Sequence, residues 1–221
     1  MKQSNQADLI LESMPRKAIK TRPIYGIGIN DSVFCTAARL GGIGVNHRAY
    51  AAWKGMFKRC YCQTYQIEMR TYEGCSVGNG WHRFTDFFEW WKVNFVEGWH
   101  LDKDILVPGN KVYSKETCVY IPPELNFFVS MSVNRDDSHP IGAYRCSDSD
   151  KYFSKIRDRS GKSHHLGTFA DAQDAHEAWI EAKLQAANSF KTVCNSIRPD
   201  LFKSLIAKIE SMRSVRLSSA A

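Results

Sequence analysis

Residues 140–182 read PIGAYRCSDSDKYFSKIRDRSGKSHHLGTFADAQDAHEAWIEA. Three short runs stand out in this stretch, Ile141 to Cys146, Lys151 to Arg157 and Ser163 to Gly167, separated by the clusters Ser147-Asp148-Ser149-Asp150 and Arg159-Ser160-Gly161. Polar, turn-forming breaks between strand-sized segments predict an antiparallel meander. Asp171 is a favourable N-cap, and after it Ala172, Ala175, Trp179, Ala182, Ala186 and Phe190 recur every three or four residues, which predicts an amphipathic helix. Alanines on that face let the helix axis come close to the sheet, with Trp179 filling the gap that remains. Strand side chains alternate between faces, so Tyr152, Ser154 and Ile156 share one face and Phe153, Lys155 and Arg157 the other. Once the helix covers the first face, Tyr144, Cys146, Phe153, Lys155, Arg157, Ser163 and His165 are left on the free one.

Upstream, residues 129–139 (VSMSVNRDDSH) lose apolar periodicity and gather Ser, Asn and Asp, so they read as a linker. It divides a domain over 140–192 from a first domain over 24–128. In the first domain Tyr50, Trp53, Met56, Phe57 and Cys60 follow helical spacing, and Phe84, Phe87, Phe88 and Trp91 mark a second helix over 82–95 whose aromatic face is core. Trp99 to Leu106 and Lys111 to Ile121 read as two strands around Gly109-Asn110, and Pro122-Pro123 opens a short helix through Asn126. Residues 1–23 carry Arg16, Lys17, Lys20 and Arg22 without a sustained period and read as a flexible basic arm. Residues 193–221 read as a basic helix, with Leu201, Leu205, Ile209 and Met212 on one face, followed by a tail.

Thirty Lys and Arg against 23 Asp and Glu give a net charge of +7, and the pI is near 9.0. Such a balance favours a polyanionic partner, nucleic acid being the commonest. The seven cysteines cannot all pair, and MKQSNQADLILESMPRK lacks the apolar core of a secretory signal, so reduced thiols and a cytoplasmic location are expected. No apolar run reaches the roughly 18 residues that span a bilayer, so no membrane partner is expected.

Gly142-Ala143, Lys151-Tyr152, Ile156-Arg157, Gly161, Leu166-Gly167-Thr168-Phe169 and the alanine-rich run from Ala175 to Ala182 occur in the order and spacing of the Apetala-two (ethylene-response-factor) domain, and this half resembles it. The resemblance implies a sheet that docks on double-stranded DNA, with Tyr144, Cys146, Lys155, Arg157, Ser163 and His165 at the base-contacting positions and Phe153 beside them. Several of these depart from the arginines and tryptophans usual in the family. A guanidinium can take both acceptors of a guanine in the major groove, which makes Arg157 the leading candidate. The adjacent His164 and His165 point to opposite faces and make a weak metal pair.

Trp53-Lys54-Gly55-Met56 with Arg59-Cys60-Tyr61, Tyr72-Glu73-Gly74-Cys75-Ser76-Val77, Leu101-Asp102-Lys103-Asp104 and Tyr113 to Pro122 resemble phage-encoded HNH-type endonucleases that carry an Apetala-like domain. The fold class expected is therefore α+β: an N-terminal HNH-like ββα-metal domain with extra helices, and a C-terminal three-stranded antiparallel sheet packed on one helix. The resemblance implies a magnesium or manganese ion held by Asp102 and Asn126, with Asn110 in the connecting loop. It also implies a general base for phosphodiester cleavage or nicking of duplex DNA in a phage-infected bacterial host. Lys103 occupies the slot of the usual histidine and is a poor base when protonated. Asp104 or His100 is the substitute, since alternation puts His100, Asp102 and Asp104 on one face and Lys103 on the other.

Cys60, Cys75 and Cys118 fall at motif positions of the family, while Gly78 stands where relatives often have another cysteine. A zinc ion would need a fourth ligand from Cys62 or His82, and buried free thiols are the alternative. Three functional readings follow: a metal-dependent nuclease, a non-catalytic DNA-binding or regulatory protein on a decayed nuclease fold, and an inhibitor that binds a host protein through Trp90, Trp91 and Trp99. A homodimer is compatible with each.

Overall fold

The computed structural model describes residues 4–16, 22–130, 139–158 and 161–214. The chain is α+β and divides into two compact units, one of residues 4–104 and 109–120, the other of 105–108 and 121–214. The division falls between Tyr120 and Ile121, earlier than the expected linker, most of which (131–138) lies outside the described residues, as do Lys17, Lys20 and the tail after Ser214.

The first unit opens with α1 (Asn5–Ser13), a correction to the flexible arm expected over 1–23. Ser4 Oγ accepts the Ala7 N–H and so caps the helix. Ala7 and Leu11, one turn apart, are fully buried and pack with Val45. Asp8 accepts both the backbone N–H of Arg48 (2.9 Å) and its Nε (2.6 Å). The Ala7–Leu11 pair is too short a period to register in a polar segment; burial against a distant strand makes it a helix.

A hairpin of β1 (Ala37–Leu40) and β2 (Ile43–Asn46) leads into α2 (Arg48–Tyr61), α3 (Gln63–Glu68) and β3 (Ser76–Val77). Then come α4 (Phe84–Asn94), β4 (His100–Asp102), β5 (Val112–Tyr113) and β6 (Val119–Ile121). α2 and α4 pack through Trp53, Met56, Phe57, Phe84, Phe87 and Trp91, as their spacing predicts. Trp53 Nε1 donates to the Trp81 carbonyl at 2.7 Å, which removes the penalty of burying its only polar atom. Phe88, Trp90 and Trp99 pack against this core and Trp91 lies within it. The three tryptophans expected as anchors for a host protein are therefore engaged by the unit's own interior.

The strands expected over 99–106 and 111–121 are shorter than predicted. β4 ends at Asp102 because the chain turns there to bring Lys103 inward. The second segment is broken by a turn in which Cys118 N–H donates to the Ser114 carbonyl. β3 pairs in parallel with β5, Ser76 opposite Val112 and Val77 opposite Tyr113.

The second unit carries α5 (Pro123–Val129), then β7 (Ala143–Arg145), β8 (Tyr152–Arg157) and β9 (Ser163–Phe169) in an antiparallel sheet of that order. These are followed by α6 (Ala172–Ala187), α7 (Lys191–Ile197) and α8 (Leu201–Ser211). α6 begins where predicted, with Asp171 Oδ1 accepting the Asp174 N–H at 2.9 Å. It contacts all three strands and also α8. That second neighbour rotates the buried stripe to Ala175, His176, Trp179, Ile180, Lys183 and Ala187; Ala172, Ala182 and Ala186 of the predicted face are only half-buried. The apolar residues Leu201, Leu205 and Ile209 of α8 are fully buried inside the unit, so this face is not a free seam for a second copy.

Candidate nucleic-acid interface

The face of the three-stranded sheet away from α6 gathers Tyr144, Phe153, Lys155, Arg157, Ser163 and His165 of the residues that alternation assigned to it, while Cys146 follows the end of β7 at Arg145. Register pairs Tyr144 with Phe153, Phe153 with Thr168, Lys155 with His165 and Arg157 with Ser163, and directly opposed residues of antiparallel strands share a face. Lys155, Arg157, Ser163, His165 and Thr168 are exposed, while Tyr144, Cys146 and Phe153 are half-buried. Thr168 was not foreseen. Simple alternation along Ser163 and His165 would have put Gly167 on this face, but the pairing shifts between Ser154 and Lys155 so that Leu166 is the extra residue. A bulge of this kind flips the following side chains and carries Thr168 beside Phe153.

The opposite face explains why this one is presented outward. Ser154 is fully buried there, its Oγ donating to the Gly142 carbonyl at 2.9 Å. His176 Nδ1 lies 2.7 Å from the Ile141 carbonyl. Gly142 adopts φ +81°, and a Cβ on it would lie 2.2 Å from Trp179 Cγ, so only glycine lets the β7 backbone meet the indole. The alternation Tyr152, Ser154, Ile156 inward and Phe153, Lys155, Arg157 outward is therefore enforced by what lies beneath.

Charge and aromatic rings are interleaved on the outer face. Tyr144 and Phe153 stack with centroids 5.3 Å apart at 22°, and Phe153 and His165 with centroids 6.1 Å apart at 29°. Lys155 Nζ sits 5.0 Å from the Tyr144 centroid and 5.6 Å from that of Phe153. Neither Lys155 nor Arg157 has a carboxylate partner among the described residues. Residues 140–169 hold six Lys and Arg against three Asp. His164, on the other side of the strand, is engaged by Asp158 at 2.6 Å, which separates it from His165 as alternation requires.

The residues expected to cleave are arranged differently. Lys103 is only 7% exposed; its Nζ donates to Asp104 Oδ2 at 3.0 Å and to the Asn110 carbonyl at 3.1 Å. Burial draws this ammonium toward neutrality, but the Asp104 carboxylate outweighs it and holds the pKa above the ordinary lysine value. Asp104 thus belongs with Lys103, a correction to the acidic face expected of His100, Asp102 and Asp104, since alternation stops with β4 at Asp102. Asp102 Oδ1 accepts the Asp104 N–H at 2.8 Å. Asn110 Nδ2 donates to the carbonyls of Lys103 (2.6 Å) and Val112 (2.7 Å), and Oδ1 accepts the Val112 N–H, so this side chain staples its own loop. His100 opens β4 and is exposed. Asp102 lies in the first unit and Asn126 in the second.

A magnesium or manganese ion requires oxygen ligands converging on one point, and hydrolysis requires a neutral base beside it. Among the described residues no group of three or more His, Cys, Asp or Glu is placed to hold a metal ion. With an ammonium in the base position and the Asn110 amide spent on backbone carbonyls, the residues of the first unit do not fit the ion in the HNH manner. Cys60, Cys75 and Cys118 are buried in the aromatic core with free thiols. Burial pushes Cys60 and Cys118 each up to about 12, as for thiols packed among apolar and aromatic side chains.

No helix among the described residues is long and apolar enough to cross a membrane. Compared with protein-family profiles, curated proteins and solved structures, the chain finds no match in any of the three.

Proposed function

We propose that this protein binds duplex DNA through the outer face of the β7–β8–β9 sheet, with the first unit as a non-catalytic scaffold. The observation that carries the reading is the placement of Lys155 and Arg157, exposed and without carboxylate partners, on the same face as Tyr144, Phe153, Ser163, His165 and Thr168. A twisted three-stranded sheet of this size fits a major groove about 12 Å wide. There Lys155 meets phosphate and Arg157 a phosphate or a guanine edge, while the hydroxyls of Ser163 and Thr168 donate to or accept from base edges. The support from α6 holds that face rigid, so little ordering entropy is lost on docking.

The scaffold half of the proposal rests on Lys103, whose ammonium is held by Asp104 and cannot accept a proton from water. The resemblance to HNH-type endonucleases is consistent with descent of the first unit from a nuclease whose chemistry is no longer carried. Binding of the full chain to a labelled mixed-sequence duplex, followed across a salt series, tests the first half: affinity should fall steeply with salt. Incubation with supercoiled plasmid and magnesium or manganese tests the second. Nicking by the native chain that disappears in Asp102→Ala would overturn the scaffold reading and restore the nuclease.

A further inference from the structure

We propose that the ring edges of Tyr144 and Phe153, with Thr168 beside them, read the C5-methyl group of pyrimidines in the major groove. The inference rests on the duplex-binding reading of this face. It starts from the way the rings are used. At 5.3 Å and 22° Tyr144 and Phe153 are too close to lie edge to edge in one plane, so their faces are turned to each other. The His165 ring lies nearly parallel to Phe153 with centroids 6.1 Å apart, and Lys155 Nζ is 5.0 Å from the Tyr144 centroid and 5.6 Å from that of Phe153, beside the gap between the two rings. The facing sides of the two rings are closed to a stacked base, and the pair forms an apolar patch with the exposed Thr168 beside it.

Two ligand classes follow from two uses of an aromatic sheet. Single strands bind by stacking bases on open ring faces. A thymine in a duplex instead offers its methyl group at the major-groove edge, next to the O4 acceptor, and apolar side chains and the threonine methyl contact it there. The second fits this face. Two apolar edges and the exposed Thr168 lie next to Lys155, so an apolar contact is set beside a cation that holds the backbone. Thymine and 5-methylcytosine share this methyl.

Equilibrium binding of the full chain distinguishes the cases with duplexes equal in length and charge. An alternating adenine–thymine duplex should bind roughly fourfold more tightly than its adenine–uracil counterpart for each methyl seated, the worth of one buried methyl group. A guanine–cytosine duplex carrying 5-methylcytosine compared with its unmethylated form assigns the source: preference on both pairs points to the methyl alone, preference on thymine alone to methyl and O4 together. Phe153→Ala should reduce the thymine–uracil ratio toward one, and Phe153→Leu, which keeps an apolar edge and the strand, should retain much of it. Equal affinity for thymine and uracil duplexes with a steep salt response would overturn methyl reading and leave duplex binding intact. Absence of salt-dependent binding to any duplex would overturn both, and tighter binding to oligothymidine than to the duplexes would replace edge contact by stacking.

Discussion

Two pairs of cations, Lys103 with Arg59 in the first unit and Lys155 with Arg157 in the second, are spent in opposite ways. In the first unit Lys103 is buried with Asp104 and the Asn110 carbonyl, and Arg59 donates through Nε to the Tyr113 hydroxyl (2.9 Å) while its guanidinium lies over the rings of Tyr72 and Tyr113. In the second unit Lys155 and Arg157 stand exposed on a sheet face, Lys155 near the rings of Tyr144 and Phe153 and Arg157 opposite Ser163. Both sets contribute to the net charge of +7. Only uncompensated charge attracts a polyanion, because a cation already neutralised in the fold must break that contact before it can make another. Net charge read from composition counts both kinds equally, and so counts Lys103 and Arg59 as charge available to DNA when the fold already engages them.

The largest effect should come from removing what keeps the second set exposed. Trp179→Ala withdraws the indole that seats Gly142 and should cost about 3–5 kcal/mol of stability, with DNA affinity lost only in step with folding. Denaturant unfolding of the variant measures the first, and binding below its unfolding midpoint the second. An unfolding free energy near the native value would show that the sheet is held by something other than α6.

Lys183 adds a third kind of cation, buried with no carboxylate paired to it among the described residues. Its Nζ donates to the Phe128 carbonyl at 2.8 Å between the rings of Phe128 and Trp179. Burial, with Lys208 repelling it, lowers its pKa from the ordinary lysine value of 10.5 to about 8. Below pH 8 both folded and unfolded chains hold this proton and the full cost of the buried charge is present. Between pH 8 and 10.5 the folded chain gives it up first, the unfolded state binds more protons, and stability from this group rises with pH. Lys183→Met should therefore stabilise the protein at pH 7 by up to about 3 kcal/mol, the gain fading by pH 10.5. The buried thiols Cys60 and Cys118 oppose this trend, since the unfolded chain loses their protons first. The difference between native and variant unfolding curves over this pH range cancels their contribution.

Lys103→Met should cost about 1–2 kcal/mol, because the ion pair with Asp104 and the hydrogen bond to the Asn110 carbonyl are lost, and should leave DNA affinity and its salt slope unchanged. A marked fall in affinity would erase the contrast between the two units. Arg157→Ala and Lys155→Ala should do the reverse. Each should alter stability by less than about 0.5 kcal/mol, weaken duplex binding by about 1–2 kcal/mol and reduce the salt slope by about one.

The meander, the start of α6 at Asp171 and the outward Phe153, Lys155 and Arg157 were legible because they rest on local rules: turn chemistry, capping and alternation. The same rules placed Phe84, Phe87 and Trp91 in the core. They failed at α1, where Ala7 and Leu11 are helical only against Val45, and at β4, where alternation stops once Lys103 finds a partner inside. Thr168 was hidden by a bulge that no residue type announces.

By itself the sequence determined which residues share the outer sheet face up to the bulge, since a period of two and a covering helix leave no other arrangement for Phe153, Lys155 and Arg157. The tertiary structure decided which cations are available to a partner. Neutralisation depends on neighbours brought together by folding, as Asn110 is brought to Lys103, and distance in space is not a property of order along the chain.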